Sequence, residues 1–363
     1  MTTAQVFPST DTSVSLPEKD VIVVSAIKLL FGFLGLVGNI ACFIATRQRA
    51  KTNHTNWLLA FQFVIDFITS VLLIANTIHL TWFKPDTLLM TSNLAGEMYC
   101  WLWANGAIYF MGFAISSFNL TAISLERYAA VVHPVWYMAS FKRNARYILV
   151  GITLLTAPVF ELSVGLVFYR YAHGECAAVD SAVKPSLGVM LFIWDFLIPV
   201  AVMSYSFLHV AVKLRTLSRV TADNVEQTIG SNTTDNTRDP NRDVEPNTGE
   251  NGLDRPALGR SKRQVKARRN NAAVPAAGFI RRRKTTVTLF IFFISYLVCW
   301  IPNQTMFLAE NLGWIQNFYG STFHRLSVAL ATFNVCVNPL VYAARFCTSA
   351  EGRRHFRRLC PSI

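Results

Sequence analysis

The apolar residues of this chain are gathered into seven long runs that are separated by polar stretches. As a helix with a rise of about 1.5 Å per residue, each run is long enough to cross a hydrocarbon layer of about 30 Å. Backbone polar groups in lipid must find their partners within the segment, so we expect helices. The predicted spans are 21–46, 57–83, 102–126, 147–169, 187–212, 285–311 and 320–344. The pattern therefore predicts an all-α membrane protein, a bundle of seven transmembrane helices.

The composition excludes several classes of protein. Hydrophobic residues make up 52% of the chain and charged residues only 15%, whereas soluble domains carry about a quarter charged residues. A disordered chain and most soluble enzymes are excluded. The sequence holds no His-Glu-x-x-His motif, Walker loop or paired catalytic carboxylates, so we do not expect an enzyme. A channel or transporter would show internal repeats and broken half-helices. No such symmetry is apparent, and this class is the less favoured alternative.

The basic residues indicate how the chain is oriented. Its formal net charge is +13, and Lys and Arg are concentrated in the segments after the first, third, fifth and seventh spans. Cytoplasmic loops carry an excess of Lys and Arg. We therefore expect a multi-pass protein of the plasma membrane with its N-terminus outside the cell. The basic charge is explained by this orientation and by membrane lipid, and no nucleic-acid partner is expected.

This topology divides the chain into five segments. They are an extracellular tail 1–20, helices one to five over 21–212, a third cytoplasmic loop 213–284, helices six and seven over 285–344, and a cytoplasmic tail 345–363. The loop begins with many Asn, Thr, Asp and Gly residues and almost no apolar ones, so it is predicted to be disordered. Its end is strongly basic, which suits either anionic lipid or a cytoplasmic partner.

Two of the seven cysteines are predicted to form a disulfide. Three cysteines lie inside predicted spans, and Cys347 and Cys360 lie in the cytoplasm, where thiols stay reduced. Only Cys100 and Cys176 face the oxidising side, and two cysteines allow one pairing. The bond would hold the second outer loop over the helices.

Short motifs inside the spans point to a family. The third span ends in Glu-Arg-Tyr, the sixth contains Cys-Trp-Ile-Pro, and the seventh contains Asn-Pro-Leu-Val-Tyr. The motif residues with a candidate role in coupling are Glu126, Arg127, Tyr128, Trp300, Pro302, Asn338, Pro339 and Tyr342. Each motif stands in the appropriate span and in the appropriate order. On these residues the chain resembles a rhodopsin-like G-protein-coupled receptor, in character closest to the peptide receptors.

The resemblance implies a switch. Glu126 and Arg127 would neutralise each other at rest, and the arginine would meet a heterotrimeric G protein in the active state. Pro302 and Pro339 each remove a helical hydrogen bond and create a bend, and Asn338 is expected to satisfy the backbone groups that Pro339 frees. Arrestin and a receptor kinase are further expected partners.

The tail resembles the short amphipathic eighth helix of that family. Its Phe and Leu side chains would lie in the membrane interface, with arginines at the head groups. Cys347 and Cys360 are the candidates for palmitoylation.

An ionisable residue in the middle of the second span is expensive and predicts a functional site. That residue is Asp66. The family places a sodium ion between this aspartate, a serine of the third span and asparagines of the seventh, which correspond here to Ser116, Asn334 and Asn338. An allosteric sodium ion is thus the one expected cofactor, and a hydrogen-bonded polar cluster without an ion is the alternative.

The ligand is expected in the outer half of the bundle. Tyr109 stands where amine receptors carry their ammonium-binding aspartate, and Thr332 stands where opsins carry their retinal lysine. A peptide with Arg, Lys or a free amine is therefore favoured over a monoamine, through ion pairing and cation–π contact. The alternative is that the acidic residues of the outer half pair with Arg and Lys side chains at the rim of the bundle and do not contact a ligand. The candidate ligand residues are Tyr109, Glu161, Asp195, Asn303, Gln304, Glu310 and His324.

Several positions depart from the family pattern. Gln62-Phe63 stands where Leu-Ala is usual, Phe207 replaces a tyrosine, and Tyr296 replaces a phenylalanine. No acidic residue stands near the basic run 281–284 that could lock it to Arg127. These departures favour substantial basal activity.

Overall fold

The structure is a computed structural model that describes residues 19–50, 54–83, 92–140, 143–172, 175–179, 181–234 and 258–348. Seven helices in this part of the chain are long and apolar enough to cross a membrane. Their apolar spans are Lys19–Arg47, His54–Trp82, Ala107–Val132, Tyr147–Phe168, Lys184–Val220, Thr285–Asn311 and Thr322–Arg345. The predicted all-α, seven-helix class is confirmed.

The elements follow one another in a simple order. The helices are α1 Lys19–Ala50, α2 His54–Trp82, α3 Asn93–Met98, α4 Ala107–Val132, α5 Pro134–Ser140, α6 Arg143–Phe168, α7 Lys184–Leu191, α8 Ile198–Thr234, α9 Leu258–Asn311, α10 Thr322–Thr332 and α11 Asn334–Thr348. Two π-helical segments, Tyr99–Ala104 and Phe192–Leu197, precede α4 and α8. One hairpin, β1 Tyr169–Ala172 and β2 Glu175–Ala178, follows α6.

The third span differs from its predicted bounds of 102–126. The membrane helix begins at Ala107, because Gly106 adopts a left-handed conformation (φ 77°) that separates it from the π-helical segment. It then continues to Val132. Glu126 and Arg127 consequently lie more than one turn before the end of α4, inside the helix.

The chain forms two compact units, Met1–Phe207 with Thr288–Ile363, and Leu208–Val287. In the first unit the four largest fully buried side chains are aromatic, namely Tyr296, Phe63, Phe113 and Phe292. Large apolar side chains of α1, such as Phe33, are exposed. Exposed apolar surface on a helix of this length is expected to face lipid.

The second unit contains the loop 213–284, and most of the polar stretch that predicts disorder lies outside the described residues. Its described backbone is helical, since α8 continues to Thr234 and α9 begins at Leu258. The start of α9 is rich in Arg, Lys and Ala, which are strong helix formers. Residues 235–257 lie outside the described part, as do the tail 1–18 and the predicted eighth helix with Cys360. The Cys347 side chain is also not described, so both palmitoylation candidates stay predictions.

The predicted disulfide is present between Cys100 and Cys176, with their Cα atoms 5.5 Å apart. Cys176 lies in β2 opposite Tyr171 of β1. The Tyr171 ring lies over Gly96, where a Cβ atom would come within 2.3 Å of the ring. The hairpin is thus held against α3 and the following π-helical segment, at the end of α4 opposite Arg127.

Candidate functional site

Glu126 and Arg127 form a buried ion pair. Arg127 Nε donates to Glu126 Oε2 at 2.7 Å, and Nη2 donates to Oε1 at 3.1 Å. Two further donors reach the same carboxylate, Thr55 Oγ1 of α2 at 2.8 Å and the Tyr137 hydroxyl of α5 at 2.6 Å. Glu126 is 1% exposed. Charge-assisted hydrogen bonds from three helices therefore hold the Glu126 carboxylate, and the carboxylate holds Arg127. The third motif residue, Tyr128, contacts His133 and Tyr205 instead.

The seventh span is tied to α1 around Pro339. A helical carbonyl accepts from the N–H four residues later, so Pro339 leaves the Val335 carbonyl without its usual donor. Asn39 Nδ2 of α1 donates to that carbonyl at 2.8 Å. The expectation that Asn338 does this work is wrong, since Asn338 Nδ2 donates to Asp66.

Tyr342 also contacts α1. Its hydroxyl accepts from Thr46 Oγ1 at 3.0 Å, and its ring packs edge-on against Phe63 with centroids 5.3 Å apart. Phe63 is the residue found where an alanine is usual, so its larger ring gives the Tyr342 side chain a packing surface.

Trp300 and Tyr296 form the aromatic centre of the first unit. The Trp300 ring lies edge-on to Phe113, with centroids 5.4 Å apart. The Tyr296 hydroxyl donates to the backbone carbonyl of Asp195 at 3.0 Å. Asp195 lies four residues before Pro199, so this carbonyl too lacks its usual helical donor. The tyrosine that replaces the usual phenylalanine thus satisfies a backbone group freed by a proline.

Asp66 lies at the centre of a fully buried polar cluster. Ser116 Oγ donates to Oδ1 and Asn338 Nδ2 donates to Oδ2, each at 2.8 Å. Gln62 Nε2 lies 3.1 Å from both carboxylate oxygens. Two predicted partners are therefore in contact with Asp66, whereas Asn334 makes no hydrogen bond to it. The sequence analysis did not assign Gln62 to this cluster. Its position one helical turn before Asp66 places both residues on the same face of α2 and could have indicated the contact.

Three ligand candidates come together beside the π-helical segment before α8. The Glu161 carboxyl is within electrostatic range of Asp195 and Tyr109. Within the described chain neither acid forms an ion pair, and Asp195 Oδ1 is buried without a hydrogen-bond partner. Trp194 stacks on Phe160 next to this pair, with centroids 4.7 Å apart. The arrangement offers two carboxylates and aromatic surface to a cation.

Tyr109, the third of these candidates, is buried. It is 6% exposed, and its ring packs against Phe110 with centroids 4.7 Å apart. A Cβ atom on Gly106 would lie 2.6 Å from the same ring. The tyrosine is therefore packed among its neighbours in the interior of the first unit.

The other candidates are held elsewhere. Asn303 Nδ2 donates to Ser327 Oγ at 3.2 Å. Glu310 accepts from the Phe318 backbone N–H at 3.2 Å, and His324 Nδ1 accepts from the N–H of Gly320 at 3.3 Å. Gln304 is half-buried. Among the described residues, no contact joins these four candidates to Glu161 and Asp195. Glu310 and His324 instead order the loop before α10.

Comparison with known proteins decides the family. Residues 38–342 match the model of the 7 transmembrane receptor (rhodopsin family). The chain belongs to this family. It is therefore a class A G-protein-coupled receptor, and members of this family are receptors and not enzymes.

Individual relatives of this receptor are distant. The alpha-1A adrenergic receptor of Oryzias latipes is 23% identical over 91% of the chain and 65% of its own length. The 5-hydroxytryptamine receptor 1B of Spalax ehrenbergi is 27% identical over 91% and 85%. The annetocin receptor of Eisenia fetida is 25% identical over 68% and 62%. These names cover amine and peptide receptors alike, so similarity does not select a ligand.

Proposed function

We propose that this receptor transmits the binding of an extracellular cationic ligand to a heterotrimeric G protein. The observation that carries the proposal is the buried Glu126–Arg127 pair, held by Thr55 and Tyr137 at the end of α4 opposite the disulfide. A buried charge that loses its partner is costly. Releasing Arg127 therefore requires a compensating acceptor, which a G protein would supply.

The orientation follows from the same two ends of α4. A disulfide persists on the oxidising side of a membrane, so the Cys100 end is assigned to the outside and the Arg127 end to the cytoplasm. The distribution of Lys and Arg supports the same assignment. We infer a plasma-membrane location with an extracellular N-terminus. Arrestin and a receptor kinase would act at the Arg127 end, and membrane lipid would surround the spans.

The ligand class is inferred from Glu161 and Asp195. Two neighbouring carboxylates in a low-dielectric region repel each other. A cationic group between them would relieve that repulsion and bind through charge-assisted hydrogen bonds. Because such binding stabilises only conformations in which both acids face the ligand, it can shift the population toward one helix arrangement.

A basic peptide is favoured over a monoamine. A peptide carrying Arg, Lys or a free amine brings cationic groups that can reach both carboxylates. Tyr109, which replaces the ammonium-binding aspartate of amine receptors, offers no charge. A monoamine ligand is the second candidate, supported by the adrenergic and 5-hydroxytryptamine receptors among the relatives.

The proposal is tested by screening basic peptides and amines for G-protein activation in cells that express the receptor. We expect a cationic agonist whose potency falls at least tenfold in Asp195→Asn and in Glu161→Gln. Glu175→Gln, which removes an exposed acid in β2, is the matched control and should leave potency unchanged. An agonist that is equally potent on all three variants would refute the cation site. Arg127→Ala that still activates the G protein fully would refute the coupling mechanism.

A further inference from the structure

Three protein side chains donate hydrogen bonds to the Asp66 carboxylate. Ser116 and Asn338 each donate to one oxygen, and Gln62 Nε2 reaches both oxygens. Gln62 Nε2 has two hydrogens and lies at equal distances from the two oxygens, so one N–H is shared between them, and three hydrogens in all point at the carboxylate. Gln62 Nε2 also donates to Ser116 Oγ, so the three donor side chains form one connected network. Gln62, Asp66 and Ser116 are each completely buried.

The orientation of the Gln62 amide is set by its surroundings. The oxygen and nitrogen of an amide side chain are distinguished by the groups that they contact. Asn119 Nδ2 lies 3.1 Å from the Leu58 carbonyl, which can only accept, so this atom must be the donating nitrogen. The same nitrogen lies 2.8 Å from Gln62 Oε1. Gln62 therefore directs its oxygen to Asn119 and its N–H groups to Asp66.

This donor set does not fit the sodium ion that the family resemblance implies. Sodium is a hard cation, and hard cations are held by oxygen ligands. The groups nearest the Asp66 oxygens include two amide nitrogens, from Gln62 and Asn338, which carry hydrogens and repel a cation. The Asn334 and Asn338 Oδ1 atoms are buried without a hydrogen-bond partner in the described chain. These neutral oxygens cannot neutralise an ion when the position between the two Asp66 oxygens is taken by the Gln62 amide.

We propose that the side-chain amide of Gln62 takes the place of the sodium ion in this receptor. The N–H group of the amide places partial positive charge against the buried carboxylate, where a cation would place a full charge. Unlike a cation, the amide is covalently part of α2. Its occupancy is therefore independent of the salt concentration. Leucine, the usual family residue at this position, has no polar atom and leaves the carboxylate open on this side. The receptor should accordingly keep its resting arrangement without sodium.

The test uses the purified full-length receptor without any ligand, so its outcome does not depend on the proposed function. The melting temperature is measured in sodium chloride, potassium chloride and N-methylglucamine chloride at equal ionic strength. We expect no difference between the salts for the natural sequence. Gln62→Leu opens the carboxylate and should gain several degrees of stabilisation that is specific for sodium. The double variant Gln62→Leu with Asp66→Asn should lose that gain.

Two results would overturn the proposal. One is sodium-specific stabilisation of the natural sequence that Asp66→Asn abolishes, because the ion would then bind beside Gln62. The other is a Gln62→Leu receptor that remains insensitive to sodium, because the amide would then not occupy an ion position. Should Gln62→Leu fail to fold, Gln62→Ala is measured in its place, and the comparison of salts on the natural sequence still decides the first outcome.

Discussion

Asn39 donates its side-chain amide to the backbone carbonyl of Val335, 2.8 Å away, at the position that Pro339 leaves without a helical donor. Both residues are completely buried. In lipid no water can satisfy a freed carbonyl, so a neighbouring helix has to supply the donor. The bend at Pro339 is thus coupled to α1. A movement of the seventh span would either break this hydrogen bond or move α1 with it.

The first prediction concerns this bond. Asn39→Ala leaves the Val335 carbonyl buried and unsatisfied, which should lower the free energy of unfolding by about 1–3 kcal/mol. Thermal unfolding of the purified receptor measures the loss. Asn93→Ala, which removes an exposed asparagine in α3, is the control and should leave the melting temperature unchanged. Equal melting temperatures for the two variants would mean that the bond adds nothing to stability.

The second prediction concerns the Glu126 carboxylate. Tyr137→Phe removes one hydrogen bond to a buried charge, a contribution of about 1.5–3 kcal/mol, and leaves the ion pair with Arg127 intact. Ligand-independent G-protein activation should rise in this variant, and rise further in Glu126→Gln, which removes the charge itself. The readout is basal activation in cells at matched surface expression.

Tyr171→Phe is the control for this measurement, because it removes a hydroxyl at the opposite end of the first unit. Its basal signal should match the natural receptor. Basal signals that are the same in all variants would show that the hydrogen bonds to Glu126 do not hold the resting state.

Much of the fold could be predicted because hydropathy alone decides which segments can enter lipid. The third span was misplaced by several residues, since Gly106 and a π-helical segment interrupt an apolar run without changing its hydropathy. The candidate site was predicted less well. Family patterns locate Asp66 and the Glu126–Arg127 pair, but some contacts at Asp66 and Asp195 are made by substitutions that depart from the pattern. Gln62 and Tyr296 are such substitutions, and only their hydrogen bonds reveal what they do.

The third prediction concerns the hydroxyl of Tyr296. Tyr296→Phe restores the usual family residue but leaves the Asp195 carbonyl without this donor, which should cost about 1 kcal/mol of stability. The change also loosens the segment that carries the Asp195 carboxylate, so agonist potency should fall modestly. Melting temperature and potency are measured on the same preparations. A variant at least as stable as the natural receptor would contradict this account of the substitution.

The fourth prediction concerns the bond between Cys100 and Cys176. Removing a disulfide typically costs about 2–5 kcal/mol, and here it also frees the hairpin that packs over Gly96. Cys100→Ser, Cys176→Ser and the double variant should lose the same stability, because each removes the same single bond. Thermal unfolding with and without a reducing agent measures this. Reduction should lower the melting temperature of the natural receptor and leave the double variant unaffected, whereas a further loss in the reduced double variant would point to another disulfide.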